Sequence, residues 1–310
     1  MHISVLLNES IENLNLKEDS IIIDCTLGRA GHSSEILKRI KKGFLFAFDQ
    51  DEDAILYSKK RLEEIGNNFE IIQDNFCNIK KHINTNVDGI LFDLGVSSPQ
   101  LDEEERGFSF HKDARLDMRM DKNNKLSAYE VVNTYPYEKL VDIFYRYGEE
   151  KYSTSIAKKI IQKRNEKNIE TTLELVEVIK SAVPEKYKRE THPARRVFQA
   201  IRIEVNNELE VLEIALKDAL KLLKPGGRIC VITFQSLEDR IVSKIFKEVT
   251  KIDDIVKNMP VIPLEYQPDY KLINKITPSK QELENNSRAR SAKLRIIERI
   301  KWGIPWKKRK

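Results

Sequence analysis

The chain predicts an open α/β sheet domain interrupted by a long helical insertion. Three observations lead there. Short apolar runs recur, each closed by a glycine turn or an acid; helical periods separate them; and from about Asp102 to Arg202 those runs stop.

The first element is Ser20-Ile21-Ile22-Ile23-Asp24-Cys25-Thr26-Leu27-Gly28-Arg29-Ala30-Gly31-His32-Ser33-Ser34, which reads as strand, glycine-bearing turn and helix start. Ile36, Leu37 and Ile40 support the helix on one face, and Lys41-Lys42-Gly43 stop it. Small residues at such a turn let a ligand approach the backbone closely. The dinucleotide fingerprint G-x-G-x-x-G is not met, since only Gly28 and Gly31 flank Arg29 and Ala30. Asp24 at the strand end suits a ligand carrying an ammonium and disfavours one carrying phosphates. A plain strand-to-helix turn accounts for the same residues.

Phe44-Leu45-Phe46-Ala47-Phe48 is a second buried strand ending in Asp49-Gln50-Asp51. A carboxylate at the end of the second strand of a βαβ unit can bind the ribose hydroxyls of a nucleoside. Capping of the helix carrying Ala54, Ile55, Ser58 and Leu62 is the other use of Asp49 or Asp51, and one acid can do each job. A third strand, Phe69 to Gln73, leads into Asp74-Asn75-Phe76, where Phe76 flanks an adenine ring or joins the core. The run from Val87 to Phe92 is a buried parallel strand closed by Asp93-Leu94-Gly95-Val96-Ser97-Ser98-Pro99-Gln100. An acid, a glycine, hydroxyls and a proline are poor packing material, and they stand where ligands bind in open α/β sheets.

Past Gln100 the chain is charged and helical in period. Thr171-Thr172-Leu173-Glu174 looks like a capping box, Leu173, Val176, Ile179 and Val183 form a stripe, and Pro184 ends that helix. The sheet pattern then returns. Val205, Leu209, Leu212, Leu216, Ala219 and Leu223 predict one long amphipathic helix. Lys224-Pro225-Gly226-Gly227 breaks it, Arg228 to Phe234 is a fifth strand, and Tyr270–Ile273 with Leu294–Ile297 predict a hairpin.

Bulk properties fit a soluble, mildly basic protein of two domains, or of one domain with a large insert: 310 residues and net charge +5. Cys25, Cys77 and Cys230 form no paired motif, which predicts a reducing cytoplasm, and the five histidines lack metal-site spacing. The N-terminus lacks a signal-peptide pattern, and no apolar run approaches bilayer length.

Strands in this order, then a helix, Lys224-Pro225-Gly226-Gly227 and another strand, resemble the class I methyltransferases that use S-adenosylmethionine. The resemblance narrows with Asp93 to Gln100, Arg106-Gly107-Phe108-Ser109-Phe110, Leu116-Asp117-Met118-Arg119-Met120, His192-Pro193-Ala194, Phe198 to Ile203, Ser236-Leu237-Glu238-Asp239-Arg240 and Arg290 to Arg295. These resemble the signature blocks of the bacterial 16S ribosomal RNA cytosine-N4 methyltransferases, and the likeness runs from Val5 to Arg295.

The resemblance implies a Rossmann-like, mixed seven-stranded sheet with helices on both faces, made by residues 1–104 and 203–310. Residues 105–202 are then an inserted helical domain for RNA recognition. It implies S-adenosylmethionine as cofactor, contacted by Ala30, Gly31, His32, Asp49, Phe76, Asp93 and Gln100, of which His32 and Gln100 come from the resemblance alone. No metal is implied. The partner is 16S rRNA within the small ribosomal subunit, the target the N4 amine of a decoding-centre cytidine, and the protein itself a monomer or homodimer. Two departures stand out: the family turn is usually richer in glycine than Gly28-Arg29-Ala30-Gly31, and Gln235 stands where the family usually has histidine. Glutamine can replace a histidine that only donates a hydrogen bond, whereas a catalytic or RNA-contacting histidine at this position would put activity in question.

The chemistry sets its own demands. The N4 lone pair is delocalised into the cytosine ring, so acceptors on its N–H bonds would let the nitrogen pyramidalise toward the methyl donor. Ser97-Ser98-Pro99-Gln100 only partly resembles the acidic or hydroxyl residue followed by Pro-Pro-aromatic of other amino-methyltransferases. Backbone carbonyls around Ser97 and Ser98 with one hydroxyl are expected to bind the amine, with Ser98 and Pro99 as the catalytic pair; a tight turn capping the next helix is the other reading. Methylation at carbon 5 would need a cysteine nucleophile, and none follows a strand-end proline.

The target base must be flipped or unpaired to be reached. From Arg288 to Lys310 ten basic residues face one acid, Glu298, with Trp302 and Trp306 interleaved, which suits phosphate contact and base stacking or else a frayed terminus. Arg106, Arg115, Arg119, Arg195, Arg196 and Arg202 are further RNA contacts, unless Asp113, Asp117 and Glu204 neutralise them. Two other classes remain: a non-catalytic ribosome-assembly factor retaining the fold, and a nicotinamide-dependent oxidoreductase, which the missing third glycine and Asp24 disfavour.

Overall fold

Seven strands pair into one sheet: β1 Ile21–Asp24, β2 Phe44–Asp49, β3 Phe69–Gln73, β4 Val87–Asp93, β5 Leu223–Thr233, β6 Tyr270–Ile276 and β7 Lys293–Arg299. Their order is β3-β2-β1-β4-β5-β7-β6, parallel from β3 to β5 and antiparallel through β7 and β6. The computed structural model describes residues 4–302, apart from residues 97, 253, 255, 257, 258, 264 and 265 and the side chains of Ser98 and Pro99. The chain runs outward from β1 through β2 to β3, then returns to place β4 on the other side of β1. That reversal is a topological switch point, and it opens a crevice beyond the carboxyl ends of β1 and β4.

The chain divides into two compact units, Met1–Gly95 with Leu209–Lys310, and Val96–Glu208. In the first, strand alternation sends side chains into two cores. Ile23, Phe48, Ile90, Phe92 and Val231 pack with Leu212 and Leu216 of α12 (Glu208–Leu222) and Val242 and Phe246 of α13 (Ser236–Val249). Ile22, Leu45, Leu91, Cys230 and Ile296 pack with Ile11 of α1 (Leu7–Asn13), Ile36 and Leu37 of α2 (Gly31–Arg39) and Leu62 of α3 (Glu52–Glu63). Helices therefore cover both faces of a mixed sheet, as expected of strands apolar on both sides. Gly43 opens β2 hard against β1, where an added Cβ would lie 2.0 Å from the Ser20 carbonyl oxygen. Gly43→Ala should therefore cost about 2 kcal/mol or more, read as a lower urea midpoint at unchanged slope.

The second unit is helical: α5 Ser98–Asp102, α6 Ala128–Thr134, α7 Tyr137–Arg146, α8 Ser153–Glu166, α9 Thr172–Ser181, α10 Glu185–Glu190 and α11 Ala194–Asn206. Its core includes Leu140, Phe144, Ile156, Leu175, Ile179, Val197 and Ile201. The Thr171 capping box is present, closed by Glu174, and Ser127 with Glu130 makes a second one. The fully buried Glu150 carboxylate is held by Tyr187 Oη at 2.6 Å and the Tyr152 amide at 2.9 Å, so its acceptors are used inside the fold.

Three helix expectations are corrected. The predicted long helix beginning at Val205 is two: Asn207 takes φ 49°, its amide closes α11 on the Ile203 carbonyl, and α12 starts afresh. An asparagine tolerates the left-handed region and ends a helix much as glycine does. Leu223 then belongs to β5. On α9 the buried stripe is Thr172, Leu175, Val176 and Ile179, leaving Leu173 38% exposed, because the phase is set by the cap at Thr171. Pro184 lies beyond the end of α9 at Ser181 and instead precedes α10.

Ion pairs decide several of the arginine alternatives. Arg119 forms a fork with Asp117, at 3.0 and 2.6 Å, and Arg202 one with Glu208, at 2.7 Å twice. Arg106 is buried and donates to the Arg119 and Met120 carbonyls. These three are structural. Glu204 pairs with Lys139 and Tyr135 rather than with an arginine. Arg115, Arg195 and Arg196 are exposed. Much of the expected basic tail is β7: Lys293 and Arg295 pair with Asp239, and Arg299 is 8% exposed and donates to the Leu223 carbonyl. Trp302 lies over the Arg299 guanidinium at 4.5 Å, and Trp306 falls outside the described residues.

Candidate active site

The turn after β1 is laced to its neighbours by side chains from three strand ends. Asp24, 1% exposed, accepts from the Thr26 amide at 3.0 Å and from Ser33 Oγ at 2.7 Å. The Asp93 amide donates to Thr26 Oγ1 at 2.7 Å, which ties the turn to the end of β4. Asp49 accepts from the Gly28 amide at 2.8 Å and the Asp51 amide at 2.9 Å, while Asp51 caps α3 through Asp53. Of Asp49-Gln50-Asp51, Asp51 thus takes the helix cap, and Asp49 holds the Gly28 turn, a bond that the sequence reading did not foresee. Gly28 and Ala30 both take positive φ, 49° and 56°. Ala30 is fully buried there, so relief of backbone strain in Ala30→Gly is offset by a lost methyl and added chain entropy; its stability should change by less than about 1 kcal/mol.

Two carboxyls at strand ends are unusual electrostatically. Burial pushes the Asp93 carboxyl up to about 8, helped by the charges of Asp24 and Glu238. Burial raises Asp49 to about 6 against its hydrogen bonds from the Asp51, Gly28 and Gln50 amides. Asp93 Oδ2 stands 3.5 Å from His32 Nδ1, and Asp93 Oδ1 is buried with no hydrogen-bond partner among the described residues. An acceptor left open in such a place is one a ligand's N–H can fill. Phe76 is half-buried and meets Phe92 edge to face at 5.7 Å, so it is at once a core neighbour and a partly open ring.

Beside β4, the end of β5 leads into Gln235 and, on the first turn of α13, Glu238. Glu238, 2% exposed, accepts from the amides of Phe234 and Gln235 and from Gln235 Nε2 at 3.0 Å. Gly95 takes φ 100°, and Phe234 packs so near that an added Cβ would meet its ring at 3.5 Å. Asp239 is structural, held down to about 2, against the opposing effect of burial, by Arg295 and Lys293.

The structure thus gathers Ala30, Gly31, His32, Asp49, Phe76 and Asp93 around the carboxyl ends of β1, β2 and β4. Gly31 opens α2 with Ser4 Oγ 1.8 Å from where a Cβ would lie. Gln100 is buried on α5 in the second unit. The backbone of Ser98 and Pro99 starts that helix, and their side chains lie outside the described residues, as does Ser97. Three contributors escape a reading by motif: Thr26, Ser33 and Glu238. Only Glu238 carries a signal, as the acid three residues after Gln235 at a helix start. Among the described residues no group of three or more His, Cys, Asp or Glu is placed to hold a metal, and no helix is long and apolar enough to cross a membrane.

A mixed seven-stranded sheet of this order, with an acid at the end of each of the adjacent strands β2, β1 and β4 and a small-residue turn, defines a class I methyltransferase. The chain belongs to the MraW methylase family, whose profile matches residues 1–300. It is 53% identical over 307 residues to the ribosomal RNA small subunit methyltransferase H of Exiguobacterium sibiricum, covering 97% of this chain and 98% of that one. Among solved structures, an rRNA methylase from Streptococcus thermophilus is similar with TM-score 0.45, 13% identity and coverage of 97% and 100%. A Streptococcus mutans protein in complex with SAH gives TM-score 0.45 and 15% identity, covering 96% of this chain and 99% of that one. The chain is an S-adenosylmethionine-dependent methyltransferase, and the oxidoreductase and non-catalytic readings give way.

Proposed function

We propose that this enzyme methylates the exocyclic N4 amine of a cytidine in the decoding centre of 16S rRNA, acting in the cytoplasm on the small ribosomal subunit. The RNA substrate rests on the relative named for the small subunit. The choice of nitrogen over carbon 5 rests on one observation: burial raises all three cysteine thiols, Cys25 and Cys77 above their ordinary value and Cys230 to about 12. A carbon-5 mechanism needs an accessible thiolate, and neither the buried Cys25 and Cys230 nor the half-buried, raised Cys77 supplies one.

The residues present fit the cofactor. The open Asp93 Oδ1 suits the ammonium of its amino-acid end, Asp49 the ribose hydroxyls and the Phe76 edge the adenine, while Ala30 and Gly31 bring the backbone close and His32 lies beside Asp93. The cofactor supplies an electrophilic methyl on sulfonium sulfur; as the N–C bond forms sulfur keeps the bonding pair, and one amine proton leaves to water. The protein's own work is to hold the amine at the end of β4, which we assign to the segment of Ser98 and Pro99, and to hold the RNA. The second unit, whose exposed Arg115, Arg195 and Arg196 suit phosphate contacts, is proposed to recognise it.

Binding is tested first. At a hundred times its dissociation constant S-adenosylhomocysteine should add about 2.7 kcal/mol of stability, and NAD none. Labelled methyl should then pass to small subunits lacking the modification; label staying with the cofactor while binding is intact overturns the proposed substrate.

A further inference from the structure

We infer that Gln235 Oε1 accepts a hydrogen bond from the amine being methylated, which makes Gln235 a catalytic residue of this enzyme; the inference rests on the N4 reading above. Gln235 Oε1 is buried; it faces the Glu238 backbone amide in the capping box that opens α13 but forms no hydrogen bond with it or with any other donor among the described residues. Its orientation is fixed, because Nε2 donates to Glu238 Oε1 at 3.0 Å and a flipped amide would set two oxygens against each other. Glu238 is itself locked by the backbone amides of Phe234 and Gln235, so the glutamine is held rather than free to swing.

Position gives this open acceptor its meaning. β5 lies beside β4 in parallel register, Ile232 opposite Asp93, and the Leu94 amide donates to the Ile232 carbonyl. Gln235 follows three residues later, at the same carboxyl end of the sheet. Glu238, which carries it, is near enough to Asp93 to raise that carboxyl. The crevice thus holds two buried acceptor oxygens without donors, Asp93 Oδ1 and Gln235 Oε1. The reaction brings three kinds of N–H: the cofactor ammonium, the adenine amine, placed by the reading above at Phe76 and away from β5, and the target amine. The charged acceptor matches the charged donor, leaving the neutral amide for the neutral amine. A neutral acceptor suits this nitrogen, because it polarises an N–H bond toward pyramidal geometry without neutralising the sulfonium. Since an amide oxygen is too weakly basic to keep a proton, the one shed after transfer goes to water. The same site explains why glutamine stands here in place of histidine: both present a neutral acceptor.

The test compares Gln235→Met, which keeps size and loses the acceptor, with Gln235→His, which restores one. Three readouts are taken on the full chain: single-turnover methyl transfer to small subunits, S-adenosylhomocysteine affinity and melting temperature. Gln235→Met should slow transfer about tenfold to a hundredfold at nearly unchanged affinity, with melting lowered only by the lost Nε2 bond to Glu238, and Gln235→His should recover most of the rate. Transfer by folded Gln235→Met at the wild-type rate overturns the inference. So does a slowing matched by lost cofactor affinity, which would assign the oxygen to the cofactor. Should Gln235→Met fail to fold, Gln235→His decides: a folded protein slower by about a hundredfold or more contradicts it. Wild-type protein that labels RNA at another atom removes the N4 reading, and the inference with it.

Discussion

Asp93→Asn should fold, bind S-adenosylhomocysteine about a hundredfold more weakly, and melt above the wild type at pH 8. The affinity loss follows from removing the charge opposite an ammonium in a largely desolvated site, which costs about 3 kcal/mol. The stability gain follows from linkage. An unfolded aspartate releases its proton near its ordinary value of 3.8, whereas the native Asp93 carboxyl keeps it to about 8. Between those values the native state holds more protons than the unfolded one, so stability falls as pH rises from about 4 to about 8 and is flat outside that window. Asp49, raised to about 6, adds a fall of the same sign that is over by then. Asp24, also raised by burial, contributes a fall of the same sign, so Asp93→Asn should flatten the slope between pH 6 and 8 to whatever share Asp24 holds.

Cofactor affinity runs the other way. An ammonium requires the ionised carboxylate, so the wild type must give up a proton to bind below pH 8. Affinity should then rise by up to about tenfold per pH unit between pH 6 and 7.5, and the rise should vanish in Asp93→Asn. Calorimetry in buffers of different ionisation enthalpy reads that proton directly. A pH-independent affinity in the wild type would place the ammonium elsewhere.

Asp24→Ala is the second large effect. The Thr26 amide and Ser33 Oγ lose their acceptor in a buried turn, for a cost of about 2–4 kcal/mol, and Thr26 no longer holds the Asp93 amide in place. Stability and cofactor affinity should fall together. Asp24→Asn separates lacing from charge: its side-chain oxygen still accepts from Thr26 and its amide donates to Ser33 Oγ. Stability should stay within about 1 kcal/mol, while removal of a negative neighbour lowers the Asp93 titration. The two substitutions behaving alike in denaturation would contradict this division.

These residues also show what a sequence can disclose. The strands were legible because each is a short apolar run, and the acids at Asp24, Asp49 and Asp93 stood out for closing such runs with groups that packing does not want. The turn from Gly28 to Gly31 was legible by its small residues. The pairings were not. Whether Arg119 faces RNA or Asp117, and whether Arg295 belongs to a basic tail or to Asp239 across 56 residues, depends on distances that only the folded chain sets. Thr26 carries no signal of its own in the sequence, yet its hydroxyl accepts from the Asp93 amide, 67 residues away. Asn207 broke a helix that the apolar period carried straight through, because one residue in the left-handed region overrides a repeat of leucines.

The most direct test is nucleoside analysis of small subunits methylated by the purified enzyme from labelled S-adenosylmethionine. The account predicts that the label co-elutes with N4-methylcytidine after digestion. Label on 5-methylcytidine or on a ribose-methylated nucleoside would contradict it, since neither product is made at an exocyclic amine.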